Sequence, residues 1–380
     1  MKNFIKSLLR IARFRTFNQT KNQQSLKLVL TDLDKAEANV ETTDAIIERL
    51  KFFEIAFEVV GDSDLTLADY LNYKLIAFIN KPPHRLLRFK YKHVFILNHQ
   101  TNYDEGWEYH RILTLQNETE ILLNRVKVRK VLEKRKDDLR LKFSKAYILG
   151  TGPSLEKADT IDWSDGIRIV SNTIVKDASL WRHIQPHFIV AGDAIYHFGI
   201  SDFAISFRKD LQKRLSETTD TLFVFPEIHY KFLLKEFSDF HDRLIPIPMG
   251  SVKTVFNVIE TKFELPEMGN VLNLLLLPLA CYFSNNVFLW GFDGRSPDAK
   301  LFWTNSDKQF YTDLVPQLKT LHPAFFEFLV PANNPAQYVN NVHGDVLEMM
   351  LKEAEDNGKK FNMMHFSYTK VLMDRYSETK

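Results

Sequence analysis

The segment that most constrains the fold of this 380-residue chain is KAYILGTGPSLEKAD, from Lys145 to Asp159. Its apolar start predicts a buried strand, and its polar second half predicts a helix. The turn between them consists of Gly150, Thr151, Gly152, Pro153 and Ser154. Glycine lets a ligand approach the backbone closely, and the first N–H groups of a helix attract anions. We therefore expect a βα unit whose turn binds a phosphate. The third glycine of the dinucleotide fingerprint is missing, which disfavours an NAD site.

Short apolar runs recur on both sides of this turn and predict the strands of one sheet. The runs are Ala146–Leu149, Ile167–Val170, Phe188–Ala191, Leu222–Phe225, Leu244–Ile247 and Val287–Trp290. Helical patterns at Phe203–Leu215 and Met268–Tyr282 lie between some of them. Strands that alternate with helices are typical of parallel sheets covered on both faces. The sequence thus predicts an α/β, Rossmann-like domain over residues 143–380, with a mostly parallel sheet and flanking helices.

Residues 21–142 have a different pattern, which predicts a mainly helical N-terminal region. Apolar residues recur at three- and four-residue spacing in Ile46–Val60 and in Ile112–Leu132. Residues 1–20 form a separate basic amphipathic segment in which Lys and Arg alternate with apolar residues. Such a segment binds an anionic membrane surface or packs against its own domain, and the sequence favours neither use over the other.

Composition excludes several classes of protein. The 50 basic and 48 acidic residues leave a formal charge of only +2, so we expect no nucleic-acid partner. A single cysteine, Cys281, excludes an internal disulfide and a cysteine-based zinc site, which favours a cytoplasmic setting. No apolar run reaches the roughly 18 to 20 residues that a membrane-spanning helix needs.

Polar residues follow three of the predicted strands. Asn172 comes after the second strand, Asp193 after the third, and Asp293 after the last. Ligands of open parallel sheets bind at the carboxyl ends of the strands. An amide such as that of Asn172 can pair with a ribose, a base edge or a sugar hydroxyl, and its alternative role is to cap the turn.

These motifs together resemble those of a known group of enzymes. GTGPS after a strand, Ser171-Asn172, Gly192-Asp193 and FLWGFDG at Phe288–Gly294 resemble bacterial sialyltransferases of surface-glycan synthesis, and also the broader motility-accessory-factor-like glycosyltransferases. The resemblance covers roughly residues 145 to 375. It implies that the GTGPS turn and Asn172 hold a nucleotide-sugar donor.

The same resemblance implies roles for later residues. Gly269 and Asn270 would begin a helix beside the nucleotide, while Gly291 and Asp293 would close the site. His343, in the segment YVNNVHGDVLE, would be the general base, because a neutral imidazole with a pKa near 6.5 can take a proton from a sugar hydroxyl. The alternatives are structural: a turn at Gly269, a loop cap at Asp293 and a packed histidine at position 343.

Two departures from the family pattern affect the donor. The sialyltransferases carry tyrosines after the equivalent of Gly-Phe-Asp, where this chain has Phe302 and Trp303. Contacts to the leaving phosphate would then fall to one of Arg295, Lys300 and Tyr311. Thr151 also stands where an asparagine is common, so the donor need not be CMP-sialic acid itself.

The function expected from the sequence is an inverting glycosyl transfer that uses neither metal nor cofactor. The donor would be a CMP-linked acidic sugar and the acceptor a glycan or lipid-linked hydroxyl, with the enzyme in the cytoplasm, either free or peripheral on the inner membrane. One alternative is a pyrophosphokinase-like phosphotransferase with magnesium on Asp193 and Asp293. The other is a non-catalytic nucleotide-sugar-binding subunit of a polysaccharide assembly complex.

Overall fold

The computed structural model describes residues 26–30, 37–61, 64, 75–79, 94–97, 106–296, 308–323, 326 and 344–376. The chain divides into two units, Met1–Glu118 and Thr119–Lys380. The basic segment predicted over residues 1–20 and the predicted base His343 lie outside the described residues.

The N-terminal unit contains a parallel sheet that the prediction of a mainly helical region missed. Its strands are β1 (Leu26–Leu30), β2 (Phe57–Gly61), β3 (Leu75–Ile79) and β4 (Val94–Leu97), in the order β2-β1-β3-β4. Its helices are α1 (Glu37–Phe52) and α2 (Trp107–Gln116).

Periodicity misled the prediction at two places. The apolar pattern of Ile46–Val60 crosses a helix end, since α1 stops at Phe52, Glu54 takes a left-handed φ of 53°, and β2 follows. β3 has the sequence LIAFI and is buried throughout. A short, fully buried apolar run cannot be told from a helix segment by periodicity alone.

Helix α3 (Glu118–Arg140) lies almost entirely in the C-terminal unit, although the sequence analysis placed it in the preceding region. Its buried residues Val128, Leu132 and Leu139 belong to the core of that unit. Near its C-terminal end, Arg140 donates to the backbone oxygens of Tyr282 (2.7 Å) and Phe283 (3.1 Å). Packing of this apolar stripe, rather than chain composition, therefore sets the boundary.

The C-terminal unit is built on a seven-stranded parallel sheet. Its strands are β5 (Lys145–Leu149), β6 (Ile167–Ser171), β7 (Phe188–Val190), β8 (Leu222–Pro226), β9 (Leu244–Ile247), β10 (Asn286–Trp290) and β11 (Lys360–Met363). Six of these match the predicted runs to within one residue at each end. The sheet and its helices confirm the Rossmann-like prediction.

Helices lie between the strands of this sheet along the chain, and the last described helix follows β11. They are α4 (Ala178–Ile184), α5 (Ala194–His197), α6 (Asp202–Ser216), α7 (Tyr230–Glu236), α8 (Val258–Lys262), α9 (Leu277–Phe283), α10 (Val315–Leu321), α11 (Val346–Asp356) and α12 (Lys370–Met373). Short 3₁₀ helices at Pro153–Thr160 and Asn172–Lys176 follow β5 and β6 directly.

The core explains why these runs fold as strands. β7, β8 and β9 are buried at every position, as expected for parallel strands with both faces covered. The segment leading into β10 is also buried throughout, as a π-helical turn (Leu272–Leu276) followed by α9. Pro278 lies where the π-helical turn passes into α9, so its missing N–H falls at the change from one hydrogen-bond pattern to the other.

The strand order determines where a ligand can bind. It is β11-β10-β5-β6-β7-β8-β9, so the chain runs outward from β5 to β9 and returns to the other side of β5 at β10. The connections after β5 and β10 therefore lead toward opposite edges of the sheet, and the ligand crevice of open parallel sheets lies at the carboxyl ends of such strands. This switch point is the usual ligand site of such sheets.

Candidate functional site

The two glycine-containing motifs meet at the switch point. β5 pairs with β10 through Leu149 and Trp290, the last residue of each strand. Beyond the strands, the Gly150 N–H donates to the Trp290 oxygen at 2.8 Å, and the Gly152 N–H donates to the Gly291 oxygen at 2.9 Å. Tertiary structure thus joins the GTGPS turn to the Gly-Phe-Asp motif.

Both turns need glycine at their closest approach. A Cβ on Gly152 would overlap the carboxylate of Asp293 and lie 2.8 Å from the Gly291 oxygen. Gly291 has a φ of +79°, and a Cβ there would overlap the backbone of Gly150. Glycine at these two positions therefore allows the loop after β5 and the loop after β10 to pack against each other.

The Asp293 carboxylate occupies the start of the helix after β5. The Ser154 N–H donates to its Oδ1 and Oδ2 at 3.1 and 3.2 Å, and the Ser154 hydroxyl donates to Oδ2 at 2.8 Å. A carboxylate is stabilised at a helix N-terminus by the same partial positive charge that attracts a phosphate.

This contact corrects one expectation from the sequence. The N–H groups of Gly150, Gly152 and Ser154 all have protein partners, and Pro153, which is exposed, has no N–H to offer. Thr151 is partly exposed beside them. A donor phosphate can bind at the N–H of Ser154 only if it displaces Asp293, because one N–H cannot serve both anions.

His365 completes this cluster, and the sequence analysis missed it. It follows β11, and its ring lies against Trp290 with centroids 4.8 Å apart. The Gly291 N–H donates to its Nε2 at 3.0 Å, and the Ser154 Oγ lies 2.9 Å from the same nitrogen. Its only signal in the sequence is its position directly after an apolar run, the same signal that identified Asn172 and Asp193.

The contacts of His365 define its protonation state. Nδ1 lies 2.6 Å from the Phe366 carbonyl oxygen, which can only accept, so Nδ1 carries the proton. Nε2 then holds the lone pair that accepts from Gly291. Burial lowers the pKa of His365, an effect that the nearby Asp293 charge opposes. The tautomer and the burial therefore both favour the neutral imidazole, and the Ser154 hydroxyl donates its hydrogen bond to Asp293.

Asn172 lies at the end of β6, the strand next to β5. It adopts a left-handed φ of 52°, and its Oδ1 is buried without a hydrogen-bond partner among the described residues. The preceding residue, Ser171, donates from its hydroxyl to the Leu149 oxygen at 3.0 Å, which ties this strand end to the start of the GTGPS turn. The amide thus holds an unused acceptor beside the crevice.

Asn270 begins the buried helix that packs against β6. Its Oδ1 accepts from the Asn273 N–H at 2.9 Å, which confirms that the helix starts here. The Nδ2 of Asn270 is buried and has no partner within the described part of the chain. Gly269 precedes it and is exposed.

Asp193 follows β7 and caps α5. Its Oδ1 accepts from the N–H groups of Ile195 (2.8 Å) and Tyr196 (3.0 Å). Burial raises the pKa of Asp193 to about 6, even though these two hydrogen bonds favour the ionised form. The cap is the role that the structure gives this carboxylate.

Two of the three residues considered for the leaving phosphate, Arg295 and Tyr311, lie in the described part of the chain. Tyr311 is buried, and its hydroxyl donates to Asp210 Oδ2 at 2.7 Å, so that bond already uses its only proton. Arg295 is partly exposed two residues beyond Asp293. Lys300, Phe302 and Trp303 lie outside the described residues.

Two searches of the described residues bear on other kinds of site. No three His, Cys, Asp or Glu side chains within these residues are grouped so that they could hold a metal ion. None of the helices in this part of the chain has the length and apolar content required to cross a membrane.

The fold and this cluster define the C-terminal unit as a Rossmann-like α/β domain with a group of hydrogen-bonded polar residues at its switch point. No family model, curated protein or solved structure matches the chain.

Proposed function

We propose that the protein is a glycosyltransferase that binds a nucleotide-activated sugar, a CMP-linked acidic sugar in the first instance, in the crevice after β5, β6 and β10. The observation that carries the proposal is the unpartnered Oδ1 of Asn172 at the carboxyl edge of the sheet. A buried amide oxygen without a partner is unfavourable by about 1–3 kcal/mol, so a ligand that donates to it gains affinity.

A second amide supports the same proposal. The free Nδ2 of Asn270 is a donor, whereas the free Oδ1 of Asn172 is an acceptor. The helix that Asn270 begins packs against β6, the strand that Asn172 directly follows. A donor and an acceptor on neighbouring elements suit a ribose or a base edge, both of which carry donors and acceptors.

His343 is the proposed general base. The histidine of the Ser154–Asp293 cluster, His365, does not suit that task, because its one lone pair accepts from the Gly291 N–H and its other nitrogen donates to the Phe366 oxygen. In the proposed reaction the acceptor oxygen bonds to the anomeric carbon as the bond from that carbon to the phosphate oxygen breaks. The hydroxyl proton passes to His343, and the nucleotide leaves with the electron pair, so the anomeric configuration inverts.

The acceptor and the location of the enzyme follow from the same proposal. The acceptor is a glycan or lipid-linked hydroxyl, and the protein acts in the cytoplasm with its basic N-terminal segment at an anionic membrane surface. No bound cation or cofactor is required in this scheme. Chelator added during the assay should leave transfer unchanged, and loss of transfer that a divalent ion restores would contradict the scheme.

Thermal unfolding against CMP, CDP, UDP, GDP, ATP and NAD is the first test. A nucleotide at 100 times its Kd stabilises the native state by about 2.7 kcal/mol, which is readily measured as a rise in Tm. We expect CMP to give the largest rise. A rise with ATP only in the presence of magnesium would instead favour a phosphotransferase.

A pair of matched variants separates the amide from the backbone. Asn172→Gly keeps the left-handed backbone and removes the side chain, and Asn257→Gly does the same at another left-handed asparagine, with a φ of 49°. Only Asn172→Gly should lose the CMP-dependent rise in Tm. His343→Ala should keep that rise and lose transfer to acceptor.

A further inference from the structure

Two aromatic side chains are exposed beside the crevice. Phe366 and Tyr368 are 57% and 54% exposed, unlike most aromatic residues of this unit, which are buried. Their ring centroids lie 5.0 Å apart at an interplanar angle of 88°, so the two rings form a right-angled corner. Exposed apolar surface held next to a polar crevice is typical of a ligand-binding site.

The backbone that carries these rings is fixed to the crevice. His365 Nδ1 donates to the Phe366 oxygen at 2.6 Å, and the Tyr368 N–H donates to the Asp293 oxygen at 2.7 Å. Between the two aromatics, the buried Ser367 donates from its hydroxyl to the Phe292 oxygen at 2.7 Å. These bonds hold the loop in one conformation, so little conformational entropy is lost when a ligand binds the rings.

The strand order places this corner on the side of the crevice away from Asn172. The rings follow β11, Asn172 follows β6, and β10 and β5 lie between those strands. A nucleotide bound at Asn172 therefore leaves the aromatic corner to the second substrate. The neighbouring groups on this side include Asp293 and His365, which contact the backbone of the loop that carries the rings.

We propose that Phe366 and Tyr368 form an acceptor subsite that stacks against the C–H face of a pyranose ring. This inference rests on the proposed glycosyltransferase activity and names its acceptor as a saccharide. A pyranose has one face of C–H groups and a rim of hydroxyls. The ring face of one aromatic residue supports the apolar face of the sugar, the second ring bounds its edge, and the hydroxyl rim points toward the polar crevice.

Binding to an array of defined oligosaccharides tests the subsite without relying on activity. Wild-type protein should be retained by a subset of the glycans, and the double variant Phe366→Ala/Tyr368→Ala should bind them at least about tenfold more weakly. Phe366→Tyr with Tyr368→Phe keeps both rings and should retain binding. Met349→Ala changes a side chain that is 52% exposed elsewhere in the unit and should have no effect.

The outcomes separate this inference from the proposed function. Absence of glycan binding by the wild type, or equal binding by wild type and double variant, overturns the subsite. Loss of the CMP-dependent rise in Tm in the double variant also overturns it, because the rings would then bind the donor base. Slow release of CMP from a CMP-sugar to water by the wild type and by Met349→Ala tests the transferase itself, independently of the glycan array.

Discussion

Asp293 accepts hydrogen bonds from both the backbone N–H and the hydroxyl of Ser154, at 3.1 and 2.8 Å. The contact joins residues 139 positions apart and closes the loop after β10 onto the turn after β5. The GTGPS turn, which the sequence predicts to bind a phosphate, therefore binds the Asp293 carboxylate of the same chain. In the proposed reaction, a donor phosphate either displaces this carboxylate or binds beside it.

The Ser154–Asp293 contact should contribute measurably to stability. A double-mutant cycle with Ser154→Ala and Asp293→Ala is expected to give a coupling free energy of about 1–2 kcal/mol in urea unfolding, because the hydrogen bonds to the carboxylate are charge-assisted. The exposed pair Arg129–Glu133 on α3 provides a comparison, with an expected coupling below about 0.5 kcal/mol. Equal coupling free energies in the two cycles would show that the Ser154–Asp293 contact contributes no more to stability than an exposed ion pair.

Gly152 should tolerate no larger residue. Gly152→Ala places a Cβ on the Asp293 carboxylate and should destabilise the protein by about 3 kcal/mol or more. Gly358→Ala is the matched control, since Gly358 has a φ of +87° and open space around its Cα. Its cost should be about 1–2 kcal/mol from backbone strain alone. If denaturant unfolding shows that Gly358→Ala is the more destabilising substitution, the close contact between the two loops at Gly152 is contradicted.

The free energy of unfolding should depend on pH because of Asp193. Burial raises its pKa to about 6 in the folded state, so the folded protein binds this proton more tightly than the unfolded chain does. The resulting stability is complete below about pH 4 and is lost as the pH rises through about 6. Asn at this position keeps the helix cap and cannot ionise. Relative to Asp193→Asn, the wild type should therefore lose about 1–3 kcal/mol between pH 4 and pH 7, and a constant difference would contradict the burial argument.

His365 should make the free energy of unfolding depend on pH in the opposite direction, so that stability rises with pH. Burial lowers its pKa, so the unfolded chain binds the proton more tightly and stability falls as the pH drops below about 6.5. Protonation also removes the lone pair that accepts from Gly291. His365→Gln should be less stable than the wild type at pH 8, and the difference in unfolding free energy should narrow toward pH 5. A difference that widens on acidification would mean that the histidine is charged in the native state.

Local sequence predicted the sheet of the C-terminal unit well. Runs such as Ile167–Val170 and Leu244–Ile247 became strands because short β-branched and apolar segments, separated by polar residues and helices, have few other ways to be buried. The same reasoning missed β3, since five consecutive apolar residues carry no period. The same reasoning also predicted that the helix α1 continues to Val60, although it ends at Phe52.

Some features of the candidate site are likewise predictable from the sequence, whereas others depend on the tertiary structure. That polar residues such as Asn172 and Asp193 follow buried strands is a property of the sequence, and so is the glycine content of both turns. Which groups meet was decided by the return of the chain from β9 to β10, because strand order depends on packing between segments far apart in sequence. That packing placed Asp293 at the start of the helix after β5 and His365 beside Ser154. It also left the Asn172 amide oxygen without a partner, and no local pattern encodes any of the three.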